Sequence, residues 1–173
     1  VALRGLGLQG TVAATRYVPG LYKFNDTATR LAVLRGLMDT DGTVDKRGYG
    51  VTFTTVSPHL RDDVVFFVRS LGGVATCSQR YPHYRVRGER RTGQLAYTLH
   101  IAMPPAINPF HLPRKADRVI PKSRYAPKRY IVDVVPIGRK PAQCIVVENA
   151  SRLFVTDDFI VTHNSRRALA VAA

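Results

Sequence analysis

LRGLMDTDG, residues 34–42, is the stretch whose reading decides the fold. Leu31, Leu34, Leu37 and Met38 recur at helical spacing behind three capping candidates, Asn25, Asp26 and Thr27, so a helix is expected to run into Asp39-Thr40-Asp41-Gly42. TVDKRGYGVTFTTV, residues 43–56, then reads as a pair of strands with Gly48 and Gly50 near the turn. A second helix opens at Ser57 and Pro58. Its apolar face is Leu60, Val64, Phe67, Val68 and Leu71, and Gly72-Gly73 end it, since glycine adopts the left-handed conformation of a helix exit.

Further along, Leu95, Tyr97, Leu99, Ile101 and Met103 alternate with Gln94, Ala96, Thr98, His100 and Ala102, the pattern of a strand with one buried face. Its partner is expected within RYPHYRVRGERR, residues 80–91, where Arg85 and Arg87 would share a face and Arg90 and Arg91 would lie near the turn. The exposed side of this sheet is therefore expected to be cationic. Cys77, after Ala75 and Thr76 on a run that reads as a strand, is expected to fill the core.

Three regions separate by pattern. Residues 1–119 mix helical and strand periods, IPKSRYAPKR (residues 120–129) reads as a linker, and residues 130–164 look all-β. SRRALAVAA, residues 165–173, is a basic, alanine-rich tail of another kind. The expected class is α+β.

The 173 residues carry 26 Lys and Arg against 12 acids, a formal charge of +14, with 45% hydrophobic content. That content is enough for a buried core and argues against disorder. So large a cationic excess favours a polyanion, nucleic acid first, through long-range attraction and counterion release. Two cysteines, Cys77 and Cys144, do not make a disulfide framework and fit a reducing compartment. The first residues show no secretory pattern, and no stretch approaches the ~20 apolar residues of a membrane span. A cytoplasmic protein without a membrane partner is expected.

LRGLMDTDG resembles the LAGLIDADG signature of homing endonucleases, matching at Leu34, Gly36, Leu37, Asp39, Asp41 and Gly42 with Met38 as a conservative change. A calcium loop is excluded, because the glycine needed at loop position six falls on Val44 and the closing Glu at position twelve on Gly50. An ordinary core helix with an acidic exit would also fit the motif alone. The flanks extend the resemblance: LGLQGTVAATRYVPGLYK (residues 6–23) is similar to the segment before the second motif of a two-motif enzyme. SPHLRDDVVFFVRSLGG (residues 57–73) and FHLPRKADR (residues 110–118) are similar to the family's later helix and closing basic segment. The resemblance implies helices on an antiparallel DNA-binding sheet, with Asp41 at the helix end holding Mg²⁺ over the scissile phosphates of double-stranded DNA. Gly36 would let a second motif helix approach closely. Arg80, Arg85, Arg87, Arg90 and Arg91 are the candidates for DNA contact, and the endonuclease's basic catalytic residue stays unassigned among several Lys and Arg. One motif implies a partner: a second copy or, favoured here, an upstream portion carrying the first motif.

The end of the chain raises a separate chemistry. Phe159, Ile160, Val161 and Thr162 read as a strand that stops on His163-Asn164-Ser165. PAQCIVVENASRLFVTDDFIVTHNS, residues 141–165, resembles the C-terminal splicing blocks of inteins, in which a homing endonuclease is the usual insertion. By that resemblance Asn164 cyclises on its own carbonyl, His163 assists, and Ser165 receives the acyl chain, with no cofactor. Cys144 stands where most inteins keep an Asp, and with Thr162 this resembles the class 3 inteins, whose internal Cys attacks the upstream junction directly. Their upstream Trp is not found, since the chain contains no Trp. Ser151 occupies the place where ordinary inteins often keep a His.

Taken together, these resemblances imply a LAGLIDADG endonuclease half followed by the all-β closing strands of a hedgehog/intein fold. Ser165 and the helix-forming residues after it also fit the opening of a P-loop helix, so the host is expected to be a P-loop ATPase such as a replicative helicase. Two alternatives stay open: a non-catalytic DNA-binding module with a degenerate endonuclease fold, and a domain that releases its tail without ligation.

Overall fold

In the computed structural model, which describes residues 2–121, 127–141, 143 and 145–163, two units separate, Val1–Lys128 and Arg129–Ala173. The first begins with two single-turn helices, α1 (Ala2–Gly5) and α2 (Gly20–Lys23), flanking a 3-10 turn at Ala13–Thr15. The motif helix α3 follows at Thr27–Asp41. Its cap is Asp26, whose side chain accepts the Thr29 amide at 2.6 Å and satisfies one of the orphan donors of the first turn. That bond holds the Asp26 carboxyl below its usual range.

Gly42 ends α3 and begins strand β1 (Gly42–Val44). A Cβ there would lie 2.5 Å from the Met38 carbonyl oxygen, so only glycine makes so abrupt an exit. Strand β2 (Val51–Thr55) pairs back on β1, and helix α4 (Pro58–Ser70) is capped by Ser57, which accepts the Leu60 amide. β3 (Val74–Arg80) follows, then a separate hairpin of β4 (His83–Val86) and β5 (Glu89–Thr92), then β6 (Ala96–Ala102) and a single-turn helix α5 (Pro113–Ala116). The main sheet is antiparallel throughout, in the order β1-β2-β6-β3.

One face of this sheet is covered by α3 and α4. Leu34 and Met38 of α3, Val64, Phe67 and Val68 of α4, and Phe53 and Leu99 of the sheet are buried to 1% exposure or less and form one core. The expected apolar face of α4 is therefore the observed one. A strap, residues 16–23, is tied to α4 by two buried polar groups: the Ser57 hydroxyl donates to the Arg16 carbonyl at 2.6 Å, and Asp63 accepts the Val18 amide at 2.6 Å and the Lys23 ammonium at 2.7 Å.

Three expectations are corrected in this unit. The partner of β6 outside β2 is β3, not residues 80–91; only Arg80 of that stretch pairs with it, opposite Ala96. Between Arg80 and His83 lie two residues and between Thr92 and Ala96 lie three, so the ribbon carries a one-residue bulge. Pro82 cannot donate to a ladder at that bend, and its carbonyl instead accepts the Gly93 amide. Ala96, expected on the open face, is buried beside the bend. Cys77 is exposed rather than in the core, because burial along β3 ends at Ala75.

The second unit has little regular structure among its described residues: β7 (Phe154–Val155) pairs with β8 (Val161–Thr162), with a 3-10 turn at Asp157–Phe159 between them. The expected strand 159–162 is thus shortened to its last two residues. Asp158 and Phe159 have φ of 63° and 57°, a left-handed pair that reverses the chain and that no extended strand contains. The all-β reading of residues 130–164 is met among the described residues only by this short pair. Among the described residues no helix is long and apolar enough to cross a membrane.

Candidate metal corner and nucleic-acid face

The last turn of α3 contains Asp39 and Asp41 and no basic residue. Carboxylates are misplaced there, because the helix C-terminus already carries partial negative charge on its unpaired carbonyls. The two acids have different fates. Asp39 Oδ1 accepts the backbone amides of His111 at 3.0 Å and Leu112 at 3.1 Å, so it is occupied in holding the segment after β6. Asp41 is exposed and has no partner among the described residues.

The segment that Asp39 grips returns a cation. Lys115 Nζ donates to the carbonyls of Met38 at 3.0 Å, Asp39 at 2.8 Å and Gly42 at 2.6 Å. Arg118 Nη2 reaches the carbonyls of Val44 and Asp45, the Ile120 amide donates to the Gly48 carbonyl at 2.8 Å, and Arg35 Nε donates to the Asn108 carbonyl. Residues 108–120 thus bind the helix exit and the β1–β2 hairpin at several points. Sequence reasoning missed this clamp, although two acids at a helix end with no base nearby was its signal.

Asp41 suits a hard divalent cation in type, since Mg²⁺ takes oxygen ligands and its remaining coordination is commonly completed by water and phosphate. No group of three or more His, Cys, Asp or Glu side chains gathers into a metal cluster among the described residues. Asp41 therefore offers one carboxylate with no second acidic, His or Cys cluster around it among the described residues. Gly36 is exposed on α3, with nothing within 4 Å of where its Cβ would be, and Ala32 and Thr40 flank it one turn away on the same exposed side.

The sheet face opposite the core is hydroxyl-rich instead of cationic as expected. Thr52, His100 and Thr76 stand side by side across it, and Thr54, Thr98 and Ser78 form the next row. Thr54 and Thr98 hydroxyls lie 3.3 Å apart, and Ser78 Oγ lies 3.4 Å from His100 Nε2. These groups both donate and accept, which is what base edges require.

The arginines fall on the ribbon and hairpin. Arg80 is at the end of β3, and Arg85 and Arg90 are cross-strand partners on the hairpin face shared with His83 and Thr92. Directly opposed like charges destabilise a strand pair, and neither arginine has a carboxylate partner among the described residues. Arg91 lies on the other face, across from Tyr84, with Glu89 at 3.6 Å. Arg87 is not on a strand face beside Arg85: it has φ of 50°, and with Gly88 at 86° makes the two-residue turn.

In the second unit, Thr162 is opposite Phe154 at the end of β8, and His163 follows it exposed. Ser151 is exposed and donates to Asn149 Oδ1 in a turn. Cys144, Asn164 and Ser165 lie outside the described residues.

Residues 28–100, the span from the start of α3 through most of β6, match the LAGLIDADG-like domain family. Across 172 residues, 96% of this chain, the sequence is 33% identical to the replicative DNA helicase DnaB of Mycobacterium intracellulare. The chain spans only 28% of that relative's length.

Proposed function

From the LAGLIDADG-like match over residues 28–100, we propose that the chain is the C-terminal portion of an intein with an inserted homing endonuclease of the DOD type. Residues 1–119 form the second half of an endonuclease that binds and cuts double-stranded DNA once joined by the half carrying the first motif. Residues 130–164 close a hedgehog/intein splicing domain, and the host protein resumes at Ser165.

The observation that carries the endonuclease reading is the division between the two acids of the motif. Asp39 is spent on backbone amides, while Asp41 is left exposed at the junction of α3 and β1. Mg²⁺ bound there would stabilise charge on the phosphodiester and lower the pKa of an attacking water. Thr52, Thr54, Thr76, Ser78, Thr98 and His100 face the bases, and Arg85 and Arg90 with Arg80 neutralise phosphates flanking the site. Arg91 contributes less, being shared with Glu89. Arg87 chiefly shapes the turn.

In the splicing step, the Cys144 thiolate attacks the carbonyl of the upstream junction, forming a thioester as that peptide bond breaks and its amine leaves protonated. The Ser165 hydroxyl then takes the acyl chain as an ester and returns the thiolate, and once the bond after Asn164 has broken the freed Ser165 amine attacks that ester to give the joined peptide bond. The side-chain nitrogen of Asn164 then attacks its own backbone carbonyl carbon; a succinimide C–N bond forms and the peptide bond to Ser165 breaks. His163 polarises that carbonyl or protonates the departing amine. Thr162, the last residue of β8, joins Cys144 in the sequence pattern on which the class 3 reading rests. A P-loop ATPase of the helicase kind is the proposed host, in keeping with the name of the relative.

The test of the endonuclease half joins this chain to the polypeptide encoded upstream and offers a randomised duplex library with Mg²⁺. Cleavage of a defined sequence class, lost in Asp41→Asn, is expected. Binding of duplex DNA without any cleavage leaves only the DNA-binding module.

A further inference from the structure

We infer that Lys115 is the positioning residue of the motif helix: it fixes the backbone that carries Asp41 without neutralising the carboxylate. The inference rests on the reading of Asp41 as a cation ligand. The end of α3 has two acids, unpaired carbonyls and no base of its own, a combination that favours fraying. The compensating charge arrives from 77 residues away in the chain. An ammonium has three N–H groups, and Lys115 directs them at three carbonyls, those of Met38, Asp39 and Gly42.

Two consequences follow from that saturation. All three donors are spent on backbone, so Lys115 is removed from the basic residues available to touch a phosphate. The Asp41 carboxylate, one residue before Gly42, keeps its oxygens free for a cation. Asp39 completes the grip in the opposite sense, accepting the amides of His111 and Leu112 just before Lys115. The flat fork of an arginine cannot converge on three carbonyls in this way, so the position is specific for lysine.

The test titrates manganese(II) into the isotope-labelled chain and follows paramagnetic broadening of the amides of Thr40, Asp41, Gly42 and Thr43. Wild type is expected to broaden there, and Asp41→Asn to lose the effect. Lys115→Met is expected to raise the half-broadening concentration about fivefold or more, as loss of charge-assisted bonds loosens the helix end. Lys115→Arg should behave like Lys115→Met. If Lys115→Met lowers the melting temperature while its folded population responds to manganese as wild type does, Lys115 is merely stabilising and the inference falls. Should Lys115→Met fail to fold, Lys115→Arg carries the test, and a wild-type response in it overturns the claim. Broadening unchanged in Asp41→Asn would instead strike down the cation reading itself.

Discussion

The two units handle the same kind of residue in opposite ways. In the first, Leu34, Met38, Phe67 and Leu99 are fully buried between two helices and a four-stranded sheet. In the second, Ile131, Val132, Val134 and Val146 are 86%, 95%, 81% and 88% exposed, although β-branched residues are the ones a sheet normally buries. The difference teaches that the first unit closes its own core, whereas the second carries strand-forming sequence most of whose apolar side chains stay exposed within the described residues. A splicing domain completed by segments from elsewhere, as proposed here, has that property.

The contrast breaks most readily on stability. Phe67→Ala should cost about 3–5 kcal/mol, the usual penalty for emptying a packed aromatic site. Ile131→Ala should stay within about 0.5 kcal/mol, as exposed substitutions do. Chemical denaturation of both variants checks this, and a comparable loss in Ile131→Ala would erase the contrast.

Next in size is the strap. Asp63→Ala strands the buried Val18 amide and frees Lys23, at a cost of about 2 kcal/mol. It should also open residues 16–23 to limited proteolysis while leaving cleavage in the second unit unchanged.

The division of the polar surface gives a smaller effect. Replacing Arg85 and Arg90 together by Ala should lower the slope of log affinity against log salt on duplex DNA by about 2, near one phosphate contact each. Thr98→Val should leave that slope unaltered, because a hydroxyl releases no counterion. An equal slope change in both would dissolve the distinction between hairpin and sheet.

The smallest effect concerns Asp26, whose carboxyl is held below its usual value of 3.8 by the Thr29 amide. A depressed folded-state pKa means its contribution is complete above the unfolded-state value and is lost as pH falls through the folded-state value. The melting temperatures of wild type and Asp26→Ala should therefore differ at neutral pH and converge in acid.

Much of the first unit was legible because local and tertiary preferences agree there. Asp26 and Ser57 cap the helices as their side chains dictate, and Leu60, Val64, Phe67 and Val68 repeat at the period that α4 buries. What was not legible depended on register or on distance in the chain. The bulge beyond Arg80 separated the arginine hairpin from the sheet, and nothing in alternation alone reveals a one-residue offset. Cys77 is apolar enough for a core, but every residue of β3 beyond Ala75 is exposed. Asp41 stood out from its motif, while the opposed role of Asp39 depends on residues 111 and 112, which local pattern cannot link to it. In the second unit, propensity called for strands that require neighbours, and β-branched residues such as Val132 and Val134, without cross-strand partners among the described residues, stay exposed.

The central claim, that the chain completes a splicing element, is met most directly by intact mass spectrometry of the chain mixed with the segment encoded upstream. Wild type should give a joined product and an excised intein, with splicing abolished in both Asn164→Ala and Cys144→Ala. A branched intermediate should survive in Asn164→Ala and be missing from Cys144→Ala. A folded mixture in which the bond after Asn164 never breaks would contradict the claim.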